Sequence, residues 1–96
     1  MNNSMRPIHP GEVLREEVDT LGMSARQLAA ALHVPANRIT GILNEQRAIT
    51  ADTSLRLARF FGTTPEFWLN LQMAYDLRRT RGQIWEQVEK EVQPHT

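Results

Sequence analysis

Residues 24–44 constrain the fold of this chain more than any other stretch, because they read as two short helices joined by a tight turn. Ser24 is a good N-cap for the first of these helices, and Gln27 follows three residues later in the register of a capping box. Pro35, just after the turn, suits the first position of the second helix, since its fixed φ is helical and no N–H partner is needed there.

The small and apolar residues of this segment have the spacing of a helix-turn-helix unit. Ala29 lies where two helices would cross closely, and a turn follows four residues later at His33. Ile39 and Ile42 come ten and thirteen residues after Ala29, on the inner side of the second helix. This pattern is typical of proteins that place a helix in the DNA major groove.

The rest of the chain also has helical periodicity. A first helix opens at Pro10 and stops near Gly22, and a fourth runs from a Thr50 cap to Gly62. A fifth, strongly apolar helix begins at residues 64–66 and is predicted to run to about Leu77. Apolar residues recur at helical intervals in each of them, and no strand-like alternation occurs.

A weaker amphipathic helix is predicted over residues 81–92, although Gly82 makes its start uncertain. The predicted fold is therefore all-α, with five helices in a Cro/repressor-like arrangement and an additional C-terminal helix. The predicted divisions are an N-terminal arm (1–9), a helix-turn-helix DNA-binding domain (10–79) and a C-terminal helical extension (80–96).

Composition narrows the class of function. The 96 residues contain eleven basic and eleven acidic side chains, a balance that argues against a protein that coats DNA indiscriminately. There is no cysteine for a disulfide or thiolate site, and no apolar run approaches the length of a membrane span. We expect a cytoplasmic protein with no membrane contact.

Enzymatic signatures are missing from the sequence. The three histidines, His9, His33 and His95, are scattered without metal-ligand spacing, and neither a Gly-rich phosphate loop nor a nucleophile elbow occurs. The sequence therefore predicts no catalytic residue, no metal, no cofactor and no small-molecule substrate.

The helix after the turn has two different sides. Ile39, Ile42 and Leu43 cluster within about 100° on a helical wheel and must face the core. Short polar side chains on the other side let the backbone approach a groove floor, where Asn pairs with adenine and Arg with guanine. The predicted base-reading residues are Ala36, Asn37, Arg38, Thr40 and Gly41.

Residues flanking this helix are placed to contact the DNA backbone, which fixes register while base contacts select sequence. The predicted phosphate-binding residues are Ser24, Arg26, Gln27, Asn44, Gln46 and Arg47. The distribution of charge is consistent with phosphate binding by this segment. Residues 24–47 hold three arginines against one glutamate, whereas residues 10–21 hold four acids against one arginine. The alternative is that this polar face is merely solvated and that Gly41 marks close helix packing.

Three longer stretches closely resemble the HigA-type antitoxins of the Cro/repressor-like helix-turn-helix class. They are residues 9–17 (HPGEVLREE), 47–58 (RAITADTSLRLA) and 61–72 (FGTTPEFWLNLQ), within a match spanning roughly residues 6–78. The resemblance implies a five-helix homodimer that binds operator DNA in its own promoter and captures a HigB-like mRNA-cleaving toxin.

The chain departs from that class at two positions. Ala25 replaces a glutamine that usually contacts phosphate, which puts one backbone contact in doubt. His33 replaces a glycine, a change that costs little if His33 adopts the left-handed conformation, which histidine tolerates better than most residues.

The fifth helix carries apolar residues on more than one side, and only one side is needed for the core. Aromatic anchors on a second side indicate a protein partner, and two-fold pairing would double the DNA site. The predicted dimerisation residues are Trp68, Leu69, Gln72, Met73 and Tyr75. The alternative is that the C-terminal segment covers this surface with Ile84, Trp85 and Val88.

Two classes of function therefore remain. The first is a dimeric, self-repressing antitoxin, with an orphan transcriptional regulator lacking a toxin as its variant. The second is a helical interaction module that has lost DNA reading, which Ala25 and the neutral total charge would fit.

Overall fold

Five α-helices make up the architecture of this protein in a computed structural model, which describes residues 6–95. The helices are α1 (Pro10–Leu21), α2 (Ala25–Leu32), α3 (Ala36–Leu43), α4 (Ala51–Phe61) and α5 (Pro65–Glu91). No strand occurs within the described residues. The predicted all-α class is confirmed.

Local signals set the helix boundaries as the sequence predicts. Ser24 and Gln27 form the complete capping box at the start of α2. His33, with φ 59° and ψ 47°, ends α2 in the left-handed conformation, so the turn keeps its shape without glycine. Gly22 and Gly62 end α1 and α4 in the same conformation. One boundary differs slightly, because Pro35 is the N-cap of α3 and not its first residue.

The core lies where α2 and α3 pack on α1, α4 and the first turns of α5. Its apolar members are Leu14, Val18, Leu28, Ala29, Leu32, Ile39, Ile42, Leu43, Ile49, Leu57, Ala58 and Trp68. Gly11, at the start of α1, faces the carbonyl oxygen of Ile42 so closely that a β-carbon would not fit. The N-terminus of α1 therefore packs directly on the last turn of α3 and supports α3 on its buried side.

The prediction of a separate C-terminal helix was wrong. Helix α5 continues through Gly82 for 27 residues, about 40 Å at 1.5 Å per residue. No proline interrupts it, and one exposed glycine costs a helix only about 1 kcal/mol, too little to break it. Because the helix does not turn back, the C-terminal segment does not cover its apolar side. Ile84 and Trp85 remain 44% and 49% exposed.

The N-terminal arm also ends earlier than predicted. His9 is 3% exposed and caps α1, since its Nδ1 accepts a 2.9 Å hydrogen bond from the N–H of Gly11. Its ring packs edge-on against Tyr75 of α5. Residue 9 therefore belongs to the folded core, and positions 1–5 of the predicted arm lie outside the described residues.

Candidate nucleic-acid interface

Helix α3 presents the face that the sequence predicts for DNA reading. Ile39 and Ile42 are fully buried, whereas Asn37 and Thr40, on the opposite side, are exposed. The other predicted base-reading residues, Ala36, Arg38 and Gly41, are half-buried. Because the helix is anchored by α1 and α2 on its inner side, this outer face is held rigidly toward solvent.

A groove of about 320 Å³ runs between the start of α3 and the segment that leads into α4. Its walls are Pro35, Asn37, Arg38, Arg47, Ala48, Thr50 and Thr53. The fold thus brings Asn37 and Arg38, predicted to read bases, beside Arg47, predicted to bind phosphate. Hydrogen-bond donors predicted for bases and donors predicted for phosphates therefore line the same groove. DNA recognition uses both kinds of contact.

Arg47 lies over Gly41, and this contact explains the glycine. A β-carbon on Gly41 would come within 3.1 Å of the Cβ of Arg47 and 3.4 Å of its Cδ. The absence of a side chain at position 41 therefore makes room for the side chain of Arg47, which comes from the loop after α3 and not from a second helix. Gly41 acts on this surface by letting Arg47 lie flat along α3.

The other predicted phosphate residues lie at two ends of the motif. Ser24, Arg26 and Gln27 are exposed at the start of α2, and Asn44 and Gln46 are exposed in the loop after α3. The Ser24 hydroxyl accepts from the Gln27 N–H at 3.1 Å, and the Gln27 Oε1 accepts from the Ser24 N–H at 2.8 Å. Both oxygens act as acceptors in the cap, so the donors that face a phosphate here are the Ser24 O–H, the amide N–H₂ of Gln27 and the Arg26 guanidinium.

Sequence reasoning missed an ionic network beside the groove. Arg38 Nη1 donates to Asp52 Oδ1 at 2.7 Å, and Arg56 Nε donates to the same oxygen at 2.8 Å. The Arg56 and Arg38 guanidiniums hold the pKa of the Asp52 carboxyl below its ordinary value. The pair at positions 52 and 56 has the i,i+4 spacing that a sequence can reveal. The link from 38 to 52 depends on tertiary packing.

The predicted dimerisation set divides in two. Trp68 is 1% exposed and donates from its indole N–H to the Thr63 hydroxyl at 2.9 Å, so its side chain completes the protomer's own core. Gln72 is also buried. These two residues are therefore not surface anchors. The sequence pattern assigned Trp68 to an interface, whereas its large side chain fills the protomer's own core.

The remaining members of that set reach the surface. Met73 is exposed, and Leu69 and Tyr75 are half-buried. Phe67 and Leu77, which do not belong to the predicted set, are 43% and 54% exposed on the same helix. The apolar surface of α5 therefore extends beyond the predicted dimerisation residues at both ends, to Phe67 and to Leu77.

Residues 6–95 contain no helix that is long and apolar enough to cross a membrane. Within the same part of the chain, the His, Asp and Glu side chains form no group of three or more that would hold a metal ion.

Comparison with known proteins agrees with this geometry. The helix-turn-helix family matches residues 14–68. An addiction-module antidote protein of the HigA family from Coxiella burnetii is 62% identical, with a TM-score of 0.91 over 94% of this chain and 99% of that chain. The Pseudomonas aeruginosa antitoxin HigA, solved with the higBA promoter, is 43% identical, with a TM-score of 0.91 over 95% and 100% of the two chains. Antitoxin HigA-1 of Vibrio cholerae is 39% identical over 90 residues, 93% of this chain and 84% of its own length. The chain therefore belongs to the helix-turn-helix family and, within it, to the HigA-type antitoxins.

Proposed function

We propose that this protein is an antitoxin that binds operator DNA in its own promoter, represses it, and neutralises a HigB-like toxin that cleaves mRNA. The observation that carries the DNA-binding part is the exposed face of α3 beside the groove that contains Asn37, Arg38 and Arg47. The same fold is seen in the Pseudomonas aeruginosa HigA solved with its promoter. Capture of the toxin follows from membership of the antitoxin family.

In this proposal α3 enters the major groove. Asn37, Arg38 and Thr40 face base edges there, while Arg47, Gln46 and the start of α2 bind the flanking phosphates. The helix-turn-helix segment supplies positive charge to a chain that is neutral overall, so long-range attraction to any DNA is weak. Selective base contacts are therefore expected to contribute a large part of the operator affinity.

We propose further that the active form is a homodimer that uses the apolar surface of α5. Leu69 and Met73 lie on one side of that helix, and the half-buried Tyr75, which packs against His9, lies on another. One α3 reads too few base pairs to select a site in a genome, and two-fold pairing lets two copies read two half-sites about one helical turn apart. Because bacterial DNA lies in the cytoplasm, the protein would work there.

The test is a titration of the chain against the duplex that precedes its own gene and against a scrambled duplex of equal length. The expected result is tighter binding to the native duplex, with two protomers per site. Equal affinity for both duplexes would contradict the repressor and leave an interaction module. Adding the product of the adjacent reading frame then separates an antitoxin, which binds that product, from an orphan regulator, which does not.

A further inference from the structure

The Arg38–Asp52–Arg56 network ties the recognition helix to two other helices. One oxygen of Asp52 accepts from both guanidiniums, at 2.7 Å from Arg38 Nη1 and 2.8 Å from Arg56 Nε. Arg56 Nη1 also donates to the backbone carbonyl of Leu32, at the end of α2, at 2.8 Å. The Arg56 guanidinium therefore restrains the Asp52 carboxylate, and that carboxylate in turn restrains the Arg38 guanidinium.

The network holds the Arg38 side chain beside the groove at the start of α3, and Asp52 itself does not line that groove. Arg38 lines it together with Asn37 and Arg47, whereas Asp52 lines the neighbouring surface formed by the end of α2 and by α4. The bond to Asp52 uses Nη1, which leaves the Nε–Nη2 edge of the guanidinium to pair with a guanine O6 and N7. A free arginine would lose many rotamers on binding, and one already held loses fewer.

We propose that Asp52 is a positioning residue for sequence reading, acting through Arg38, with Arg56 as its support. The inference rests on the proposed operator binding and adds to it the residue that sets the orientation of the guanine-reading arginine. The expected ligand of Arg38 is a guanine edge in the major groove of duplex DNA.

Electrostatics and positioning predict opposite effects of losing Asp52, which makes the proposal testable. A carboxylate near DNA repels phosphates, so its removal should tighten binding to every duplex alike if charge is its only effect. If it positions Arg38, its removal should weaken selection of the operator even while general affinity for DNA rises.

The experiment compares Asp52→Asn with the wild type on the native upstream duplex and on a scrambled duplex, at several salt concentrations. We expect the ratio of the two affinities to fall by a factor within about 5- to 150-fold, the range that one arginine–guanine contact contributes. Glu66→Gln is the matched control, since Glu66 is also an exposed acid in the first turn of a helix. It should leave the ratio unchanged.

The double variant Arg38→Ala with Asp52→Asn completes a thermodynamic cycle. If Asp52 acts through Arg38, its substitution has no further effect on the ratio once Arg38 is gone. Circular dichroism reports whether each variant is folded, and Asp52→Ser replaces the Asn variant if the latter loses helix.

An unchanged or increased ratio in Asp52→Asn would overturn the proposal, and so would an equal fall in the Arg38→Ala background. An Arg38→Ala variant that keeps full selectivity overturns it as well. Failure of the proposed function looks different, because the wild type itself would then bind both duplexes equally, and the positioning role would fall with it.

Discussion

The side-chain Oε1 of Gln72, on α5, accepts a 2.8 Å hydrogen bond from the backbone N–H of Ile49, 23 residues earlier in the chain. The amide N–H₂ of Gln72 donates to Asp76 at 3.0 Å, which fixes the orientation of the amide. Ile49 is buried and lies near the end of the loop that carries Arg47. The long helix proposed for dimerisation thus holds the loop proposed to bind phosphate.

Replacing Gln72 with methionine, which is similar in length but accepts no comparable hydrogen bond, should leave the Ile49 N–H buried without a partner. We expect a loss of about 1–3 kcal/mol in the free energy of unfolding, measured by urea titration at fixed protein concentration. Gln87→Met, on an exposed position of the same helix, is the control and should change stability by less than about 0.5 kcal/mol. Equal losses in both variants would contradict the role of the buried bond.

Stability should decrease as the pH falls through about 6.5, the ordinary pKa of histidine. Burial lowers the pKa of His9, although the nearby carboxylates of Glu45, Glu12 and Asp76 oppose this. The unfolded chain therefore binds a proton at a pH where the folded chain does not, and protonation favours unfolding until the pH drops below the folded pKa.

The His9 prediction is checked by thermal unfolding between pH 8 and pH 5. His9→Asn, which retains a side-chain acceptor for the helix cap, should remove much of this pH dependence. His33→Asn is the matched control, because His33 is exposed and asparagine also tolerates its left-handed backbone. A pH profile that follows His33 and ignores His9 would refute the assignment.

Gly11→Ala and Gly82→Ala should change stability in opposite directions. A β-carbon at Gly11 would collide with the carbonyl of Ile42, so α1 and α3 must separate, at a cost of about 1–3 kcal/mol or more. At Gly82 nothing lies within 4 Å of such a β-carbon, and alanine should stabilise α5 by about 0.5–1 kcal/mol. Melting temperatures of the two variants give the check, and a tolerated Gly11→Ala would argue against the close contact.

Asn37→Ala and Arg47→Ala should weaken DNA binding in different ways. Removing the Asn37 amide from a base edge should reduce operator affinity by about 1–3 kcal/mol and leave scrambled DNA nearly unaffected. Removing the Arg47 guanidinium should weaken both duplexes and reduce the salt slope by about 1 for each phosphate that it neutralises. Arg15→Ala, on the exposed face of α1, serves as the charge control. Identical behaviour of the Asn37 and Arg47 variants would contradict the division into base and phosphate contacts.

Local chemistry made much of the fold predictable. The capping box at Ser24, the left-handed glycines after α1 and α4, and the apolar spacing of Ile39 and Ile42 act within one or two helical turns. Such signals can be read along a chain without knowledge of its partners in space. The exposed face of α3 followed from the same periodicity.

Most of the errors arose where segments that are distant in the sequence meet. Trp68 carries a side chain typical of an interface, yet both it and Gln72 are buried by segments that precede them in the chain. Gly82 resembles a helix boundary in the sequence, although the surrounding helix is long enough to bridge it. The Arg38–Asp52 ion pair joins residues 14 positions apart on different helices, so no helical spacing in the sequence predicted it.

The sequence by itself determined where the helices begin and end, apart from the first residue of α3 and the length of α5, and which side of α3 turns inward, because caps, turns and periodicity are local interactions. Tertiary packing alone decided which polar side chains became structural and which stayed available to DNA. That choice depends on burial and on long-range hydrogen bonds, which exist only once the five helices have assembled.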